Sequence, residues 1–255
     1  MRVIFATLLS CILSLNLFFY AEELQGYSAN LVTQNSVSKA NVDNLINLGY
    51  YKYEYKDDNL NFRNAVLHFQ SDSNLNVDGI AGKQFKTALD KRLQLGKTVN
   101  KDYVKKSPSS KMWITINKSN KILTVYYNKT AIKKYPVAIG RSNYVTPEGK
   151  FKIKTKVVNP KWSGGGHADP VDGGHRNNPL GFRWLGLTIG NKNKYGIHGN
   201  NNPYSIGQNV SRGCIRMLNS DIEELFKNVN KNTSVWIGSD KNLRKWGVYQ
   251  NSIID

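Results

Sequence analysis

The hydrophobic periodicity of the chain changes once, near Lys111, and this change constrains the fold more than any other feature. Upstream, one run of apolar residues has the helical spacing i, i+3, i+4, i+7: Phe62, Ala65, Val66 and Phe69. Downstream, residues 113–116 and 122–127 form short strand-like runs separated by turn residues. A helical part is therefore expected to precede a β-rich part.

The helical part is predicted to be a small three-helix N-terminal domain over residues 36–96. The first helix is expected to end at Gly49, and the second carries the Phe62–Phe69 run. A loop rich in Gly and Asp follows at 76–82. The third helix is expected to have one apolar face and to end before Gly96; that face comprises Phe85, Ala88, Leu89 and Leu93.

Residues 111–238 are predicted to form a mainly-β, sandwich-like domain, so the fold class is α+β. One helix is expected in this domain, capped by Asn219 or Ser220, with Ile222 and Leu225 on its apolar side. The basic, Ser/Pro-containing stretch 97–110 predicts a linker. Residues 239–255 are predicted to be a C-terminal tail.

The N-terminus and the charge of the chain indicate where it acts. Apolar residues dominate positions 3–20 after Arg2, so residues 1–21 are predicted to be a signal peptide or membrane anchor, followed by a spacer at 22–35. The formal net charge is +18, which favours polyanions such as anionic wall polymers. Nucleic acid is excluded as a partner, because the chain has an export signal and lacks a base-reading motif.

Cysteine usage identifies a candidate nucleophile. Removing an export segment would leave Cys214 as the one cysteine, and a lone exported thiol is either a buried structural residue or a reactive group. His198 is a candidate base for it. Arg212 and Arg216 flank the thiol and are candidates to favour its thiolate, depending on the direction of each side chain. Gly213 lets a substrate carbonyl approach the backbone, where N–H groups near the thiol form a candidate oxyanion hole.

Two segments together resemble the catalytic motif of the YkuD-like L,D-transpeptidases: Tyr195-Gly196-Ile197-His198-Gly199-Asn200 and Ser211-Arg212-Gly213-Cys214-Ile215-Arg216-Met217. The resemblance implies that Cys214 is the nucleophile and His198 the general base. It also implies that the Gly199 carbonyl holds the tautomer of the histidine and that Ser211 orients the loop. Substrate-binding roles are predicted for Arg216, Trp184 and Tyr195.

Arg212 departs from the family pattern, because many members have His at this position. We expect Arg212 to anchor the loop or a substrate carboxylate rather than to activate the thiol, since its planar guanidinium suits bidentate carboxylate recognition.

The resemblance implies acyl transfer without a cofactor, with peptidoglycan stem peptides as both donor and acceptor and a cysteine thioester as the intermediate. An L,D-carboxypeptidase, which uses water as the acceptor, would have the same site. A non-enzymatic wall-binding protein is the other alternative, and the intact Cys214 and His198 pair argues against it.

The helical part also resembles a known module. Residues Ala65-Val66, Phe69-Gln70 and Val77-Asp78-Gly79-Ile80-Ala81-Gly82 are similar to the three-helix peptidoglycan-binding domain. The alternatives are glycan binding or a spacer function. Deletion of 36–96 is expected to weaken wall retention and to leave the chemistry intact.

Three further features have less specific interpretations. His167 and His175, with Asp169 or Asp172, lie in a Gly-rich loop that is predicted to cover the substrate groove rather than to hold zinc. The tyrosine-rich segment 50–55 either stacks on sugars or packs between the helices and a loop. His68 is predicted to be a surface or internally satisfied histidine.

Overall fold

This computed structural model describes residues 38–96, 101–166, 168–190 and 194–255. The predicted export segment 1–21 and spacer 22–35 lie outside the described residues. Within the described ranges, no helix combines the length and apolar character needed to cross a bilayer.

The fold is α+β, as predicted, with the helices concentrated in the N-terminal part. The described part of the chain contains five α-helices: α1 (Lys39–Asn47), α2 (Asp58–Asp72), α3 (Lys83–Leu95), α4 (Asn219–Asn228) and α5 (Asp240–Lys245). Side-chain caps start the first two helices, because Ser38 accepts from the Asn41 N–H and Asp57 from the Asn59 and Leu60 N–H groups. Helix α3 ends at Gly96, whose φ is 63°.

The β-rich part is built on one curled eight-stranded sheet with strand order β10-β8-β7-β6-β11-β2-β3-β4. Its strands are β2 (Met112–Asn117), β3 (Ile122–Tyr127), β4 (Thr130–Pro136), β6 (Gly149–Val158), β7 (Arg183–Leu187), β8 (Gly196–His198), β10 (Ile215–Arg216) and β11 (Ser234–Gly238). Two further pairs combine the remaining strands: β1 (Asp102–Val104) with β12 (Val248–Gln250), and β5 (Ile139–Gly140) with β9 (Asn209–Ser211). Pairing is antiparallel except for β2 with β11, β5 with β9 and β8 with β10.

The predicted inner face of α3 is wrong at one position. Leu93 is 42% exposed, whereas Arg92 is 6% exposed and points inward. At about 100° per residue, position 92 lies roughly 20° from Phe85 around the helix and position 93 roughly 80° away. Geometry therefore places the arginine on the buried face, where its aliphatic stem packs.

Two segments predicted to be irregular contain regular structure. The stretch 97–110, expected to be a linker, contains strand β1, and the tail 239–255 contains α5 and β12. These two strands pair with each other, so they join the chain segments on either side of the sheet domain. Beyond β12, Ile253 packs into the core of the helical part and its N–H donates to Ser73 O at 3.1 Å. The pairing depends on partners about 150 positions apart, which local patterns do not reveal.

The helical part, residues 38–96, packs directly against the sheet domain. Leu67 and Val77 are fully buried in a cluster with residues of the sheet domain: Ile122, Ala138, Ile206 and Leu218. Burying one such side chain stabilises the fold by about 1.5–3 kcal/mol. His68, predicted to be a surface or satisfied histidine, is partly buried in this interface, with Nε2 3.5 Å from Asp221 Oδ2 on α4.

The tyrosine-rich segment contains one packed ring and one exposed ring. The Tyr50 ring packs edge-on against Phe69 at 5.5 Å between centroids, inside the helical core. Tyr53, by contrast, is 75% exposed and lies against Tyr51 at 5.1 Å. Packing therefore accounts for Tyr50, and Tyr53 remains available to a ligand.

A buried charge network joins the helical part to β1 and β4. The Asp102 carboxylate accepts from Lys134 Nζ at 2.7 Å, from Asn74 Nδ2 at 2.7 Å and from the Tyr126 hydroxyl at 2.6 Å. The side chain of Asp102 is fully buried and that of Lys134 is 6% exposed. A buried ion pair of this kind is costly to break, because the remaining charge cannot reach water.

Replacing Asp102 therefore tests how the two parts are held together. We expect Asp102→Ala to lower the free energy of unfolding by about 3–5 kcal/mol, because Lys134 is left buried without its carboxylate. Urea unfolding measures this change. Asp172→Ala is the control: it removes the exposed pair with Lys161, and the expected loss is below about 1 kcal/mol. Equal losses in the two variants would contradict the role assigned to Asp102.

Candidate active site

Parallel pairing of β8 with β10 brings the two predicted catalytic residues together. Arg216 lies beside His198, and Ile215 beside Ile197. Cys214 immediately precedes β10 and therefore lies next to Gly196, whose N–H donates to its sulfur. Since side chains alternate along a strand, Cys214 and Arg216 face the same side of the sheet as His198.

The thiol of Cys214 is partly buried. Its Sγ lies 3.4 Å from the Lys194 carbonyl, to which the thiol donates. Burial raises the pKa of this thiol, while the Gly196 N–H and the Arg216 guanidinium lower it without reversing the increase. The resting group is therefore a protonated thiol at neutral pH.

One ring nitrogen of His198 is committed to a backbone hydrogen bond. Its Nδ1 lies 2.6 Å from the Gly199 carbonyl, which only accepts, so the proton is on Nδ1 and the Nε2 lone pair is available. This contact is the one that the resemblance implies for Gly199. Burial and the nearby Arg216 lower the pKa of His198 to about 3, and the Gly199 carbonyl opposes this shift. The imidazole is therefore uncharged at neutral pH.

The predicted substrate-binding aromatics both pack against the site. The Trp184 ring stacks on His198 with 5.5 Å between centroids and an angle of 20°. A Cβ on Gly213 would lie 2.7 Å from the Tyr195 ring, and the φ of Gly213 is 105°, so only glycine fits there. These contacts give both rings a positioning function, and substrate binding by them stays a prediction.

Ser211 makes two hydrogen bonds within the turn before the thiol. Its hydroxyl donates to Cys214 O at 2.5 Å and accepts from the Gly213 N–H at 3.1 Å. The Gly213 N–H is therefore engaged within the turn, and the predicted role of Gly213 in letting a substrate carbonyl approach the backbone stays a prediction. The backbone N–H of Cys214 is left as the candidate oxyanion donor.

An exposed cationic rim borders the turn; Arg212 was among the predicted site residues, and Arg141 was not. The Arg212 guanidinium lies 5.8 Å from the Tyr144 ring centroid, and that of Arg141 lies 4.8 Å from the same ring. Gly140 brings this segment close, since a Cβ on it would lie 3.1 Å from the Gly213 Cα. Arg212 is thus placed at the rim, while Arg216 is the cation that acts on the thiol.

Asn219 has a different function from the predicted helix cap. The N-cap of α4 is Leu218, which makes no side-chain capping bond. The Asn219 amide instead accepts from the Asn200 N–H at 3.0 Å and donates to Asn200 O at 2.9 Å. A Cβ on Gly199 would lie 2.1 Å from Asn219 Oδ1, so the amide fixes the chain directly after His198. The helix-start pattern could not reveal this, because the partner lies on another element.

The Gly-rich loop is closed by its own backbone. Trp162 and Val171 form a bridge across it, and Asn178 Nδ2 donates to Pro160 O at 2.8 Å. His167 lies outside the described residues, and His175 Nδ1 accepts from the Asn177 N–H at 3.2 Å. In the described ranges there is no group of three or more His, Cys, Asp or Glu able to hold a metal.

The Arg216 charge acts on both titrating groups, and this has a measurable consequence. Arg216→Met is expected to shift the pH profile of Cys214 alkylation by iodoacetamide to higher pH, because a cation that lowers the thiol pKa is lost. The histidine pKa, followed by NMR, is expected to rise for the same reason. Arg212→Met is the matched control and should leave the thiol profile unchanged. A shift of the same size in Arg212→Met would contradict the assignment of Arg216 as the cation that acts on the thiol.

The comparisons with known proteins agree with this arrangement. A family model of the L,D-transpeptidase catalytic domain, YkuD, matches residues 111–237. The putative L,D-transpeptidase YqjB of Bacillus subtilis (strain 168) is 37% identical over 130 residues, covering 50% of this chain and 72% of that protein. The putative L,D-transpeptidase YkuD of the same organism is 41% identical over 124 residues, covering 49% of this chain and 64% of that protein.

A solved structure supports the fold over a longer range. The crystal structure of an L,D-transpeptidase from Xylanimonas cellulosilytica matches with a TM-score of 0.54 and 19% identity, covering 82% of this chain and 92% of that one. The present chain belongs to the L,D-transpeptidase family and carries its YkuD-type catalytic domain.

Proposed function

We propose that the protein is a peptidoglycan L,D-transpeptidase that joins stem peptides through a thioester on Cys214. The observation that carries this proposal is the pairing of β8 with β10, which places the imidazole of His198 on one strand and the thiol of Cys214 immediately before the other. The Nδ1 bond to the Gly199 carbonyl leaves the Nε2 lone pair of His198 to accept a proton. Family membership gives the substrate class, and the site supplies the nucleophile and the base.

The first half-reaction starts from uncharged groups. The Cys214 sulfur attacks the carbonyl carbon of the third stem residue while its proton moves to His198 Nε2. Negative charge develops on the carbonyl oxygen, where the Cys214 N–H is the candidate donor. The C–N bond then breaks, the proton passes from His198 to the leaving D-Ala amine, and a thioester remains.

The second half-reaction reverses these roles. A side-chain amine of another stem attacks the thioester carbonyl, His198 takes a proton from that amine, and the C–S bond breaks to give a new amide. The thiolate regains its proton from the imidazolium. Water in place of the amine would make the protein an L,D-carboxypeptidase, and product analysis with and without an amine acceptor distinguishes the two.

Recognition of the stem is proposed to use the cationic rim. Arg141 and Arg212 lie on the same Tyr144 ring next to the nucleophile turn, and Arg212 is exposed. Guanidinium groups bind carboxylates in a bidentate manner, and stem peptides carry free carboxylates. Arg212 then contributes to substrate affinity. Arg216, and not Arg212, is the cation that lowers the pKa of the thiol, which is consistent with this role.

Substitution of the two catalytic candidates tests the proposed mechanism. Cys214→Ala is expected to abolish D-Ala release from a tetrapeptide donor, and His198→Gln to lower the rate by about 10²–10⁴ because the base is lost. Both rates are measured by chromatography of the released amino acid. A Cys214→Ala variant that still released D-Ala at the wild-type rate would remove this thiol from the mechanism.

We also propose that the enzyme is exported through its N-terminal segment and works in the cell wall, where anionic polymers attract it. One strand has the required charge pattern, because Lys150, Lys152 and Lys154 are all exposed on the same face of β6. Alternate residues in a strand stand about 7 Å apart, so the three ammonium groups form a row. The helical part is proposed to contribute glycan contacts, for which the exposed Tyr53 is available.

The lysine row can be tested with purified wall sacculi. We expect Lys152→Gln with Lys154→Gln to weaken retention at low salt and to reduce its salt dependence, since two screened contacts are lost. The control carries the same charge change on other exposed lysines, Lys227→Gln with Lys231→Gln. Retention that falls equally in both variants would assign wall attachment to net charge. Unchanged retention of the Lys152→Gln, Lys154→Gln variant would exclude a role of the lysine row in attachment.

A further inference from the structure

The segment between the candidate base and the candidate nucleophile rests on the helical part. Residues 199–213 run from His198 to Cys214 and include the short 3-10 helix Pro203–Ser205. From Gly207 onward, the sheet domain holds this segment: the Gly207 N–H donates to Val137 O at 3.1 Å, and β9 pairs with β5. Immediately before Gly207, Ile206 packs on residues of both parts, and α2 adds polar contacts.

Arg63 of α2 makes the central contact. Its Nη2 donates to the Ile206 carbonyl at 2.6 Å, and the side chain is only 2% exposed. Gly79 leaves room for it, since a Cβ there would lie 2.9 Å from Arg63 Cγ. Burying a guanidinium is costly, and among the described residues its Nε and Nη1 atoms have no hydrogen-bond partner. An uncharged side chain would avoid this cost, so stability alone does not explain an arginine here.

Two further contacts hold the same segment. The Tyr204 hydroxyl donates to Asp57 Oδ2 at the start of α2, and the Arg63 guanidinium lies 5.9 Å from the Tyr204 ring centroid. Gly207 lies against Leu67 so closely that a Cβ would be 3.0 Å from Leu67 Cδ2. The helical part therefore fixes residues 204–207 by a charge-assisted bond, a hydroxyl bond and close packing.

We propose that the helical part is a component of the active site and that Arg63 is a positioning residue. By holding the 199–213 segment, Arg63 keeps Cys214 and His198 in their relative positions. This rests on the proposed function of those two residues. It reverses the expectation that deleting residues 36–96 leaves the chemistry intact. Displacements of about 1 Å at a catalytic group can cost about 10²-fold in rate.

The test uses the full chain with Arg63→Met, which keeps the volume and removes the donor. We expect kcat to fall about 10-fold or more, with KM changed less than about 3-fold, because the substrate contacts stay in place. We also expect the iodoacetamide profile of Cys214 to shift to lower pH, since burial raises the pKa of this thiol and a loosened segment admits water.

A buried arginine elsewhere in the helical part provides the matched control. Arg92→Met removes the guanidinium of a residue on α3 that is 6% exposed. At temperatures well below unfolding, we expect this variant to have the same kcat and the same alkylation profile as the wild type. Tyr204→Phe removes only the hydroxyl bond to Asp57 from a partly exposed side chain. We expect it to shift both readouts in the direction of Arg63→Met by a smaller amount, and it serves as the test if Arg63→Met does not fold.

The outcomes separate this proposal from the proposed function. Wild-type kcat and alkylation in folded Arg63→Met, or in Tyr204→Phe if the first does not fold, would overturn the positioning role. Equal loss of kcat in Arg92→Met would also overturn it, by assigning the effect to general stability. If Cys214→Ala still releases D-Ala, the proposed function fails, and the alkylation profile alone then decides whether Arg63 positions the thiol.

Discussion

Parallel pairing of β8 with β10 is the constraint on which the rest of the site depends. Parallel neighbours cannot be joined by a tight hairpin and need a connection of about a dozen residues or more. Here residues 199–214 provide that connection without an α-helix. Such a segment has few backbone partners of its own, so Asn219, strand β5 and the helical part each hold a portion of it. The helical part is thus one of the supports of this segment.

The same pairing sets the electrostatics. Arg216 lies beside His198 on the neighbouring strand and two positions after Cys214. This one cation therefore lowers the pKa of both the imidazole and the thiol. Burial raises the thiol pKa by more than the cation lowers it. The resting pair is therefore uncharged, and the proposed mechanism needs proton transfer during attack rather than a preformed thiolate. Exclusion of water from the site favours this arrangement, because it penalises both ionic forms.

Much of this could be predicted from the sequence where the pattern is local or the motif is specific. The three N-terminal helices and the β-rich part follow from hydrophobic periodicity, and the motif singled out Cys214 and His198. The missed features depend on distant partners: Arg63 meets a carbonyl 143 positions away, and Asn219 binds a segment 19 positions upstream. The pairing of β1 with β12 is likewise a contact between distant segments, and it gives regular structure to the expected linker and tail. Periodicity does not encode such contacts.

The central claim is that Cys214 forms a thioester with a stem peptide under the control of His198. Mass spectrometry of the intact protein, mixed rapidly with a tetrapeptide stem and then digested, tests it most directly. The account predicts an added acyl mass on the peptide that contains Cys214. When an amine acceptor is supplied, this added mass is lost and a cross-linked product forms. Product formation without any adduct on that peptide, or an adduct mapped to another residue, would contradict it.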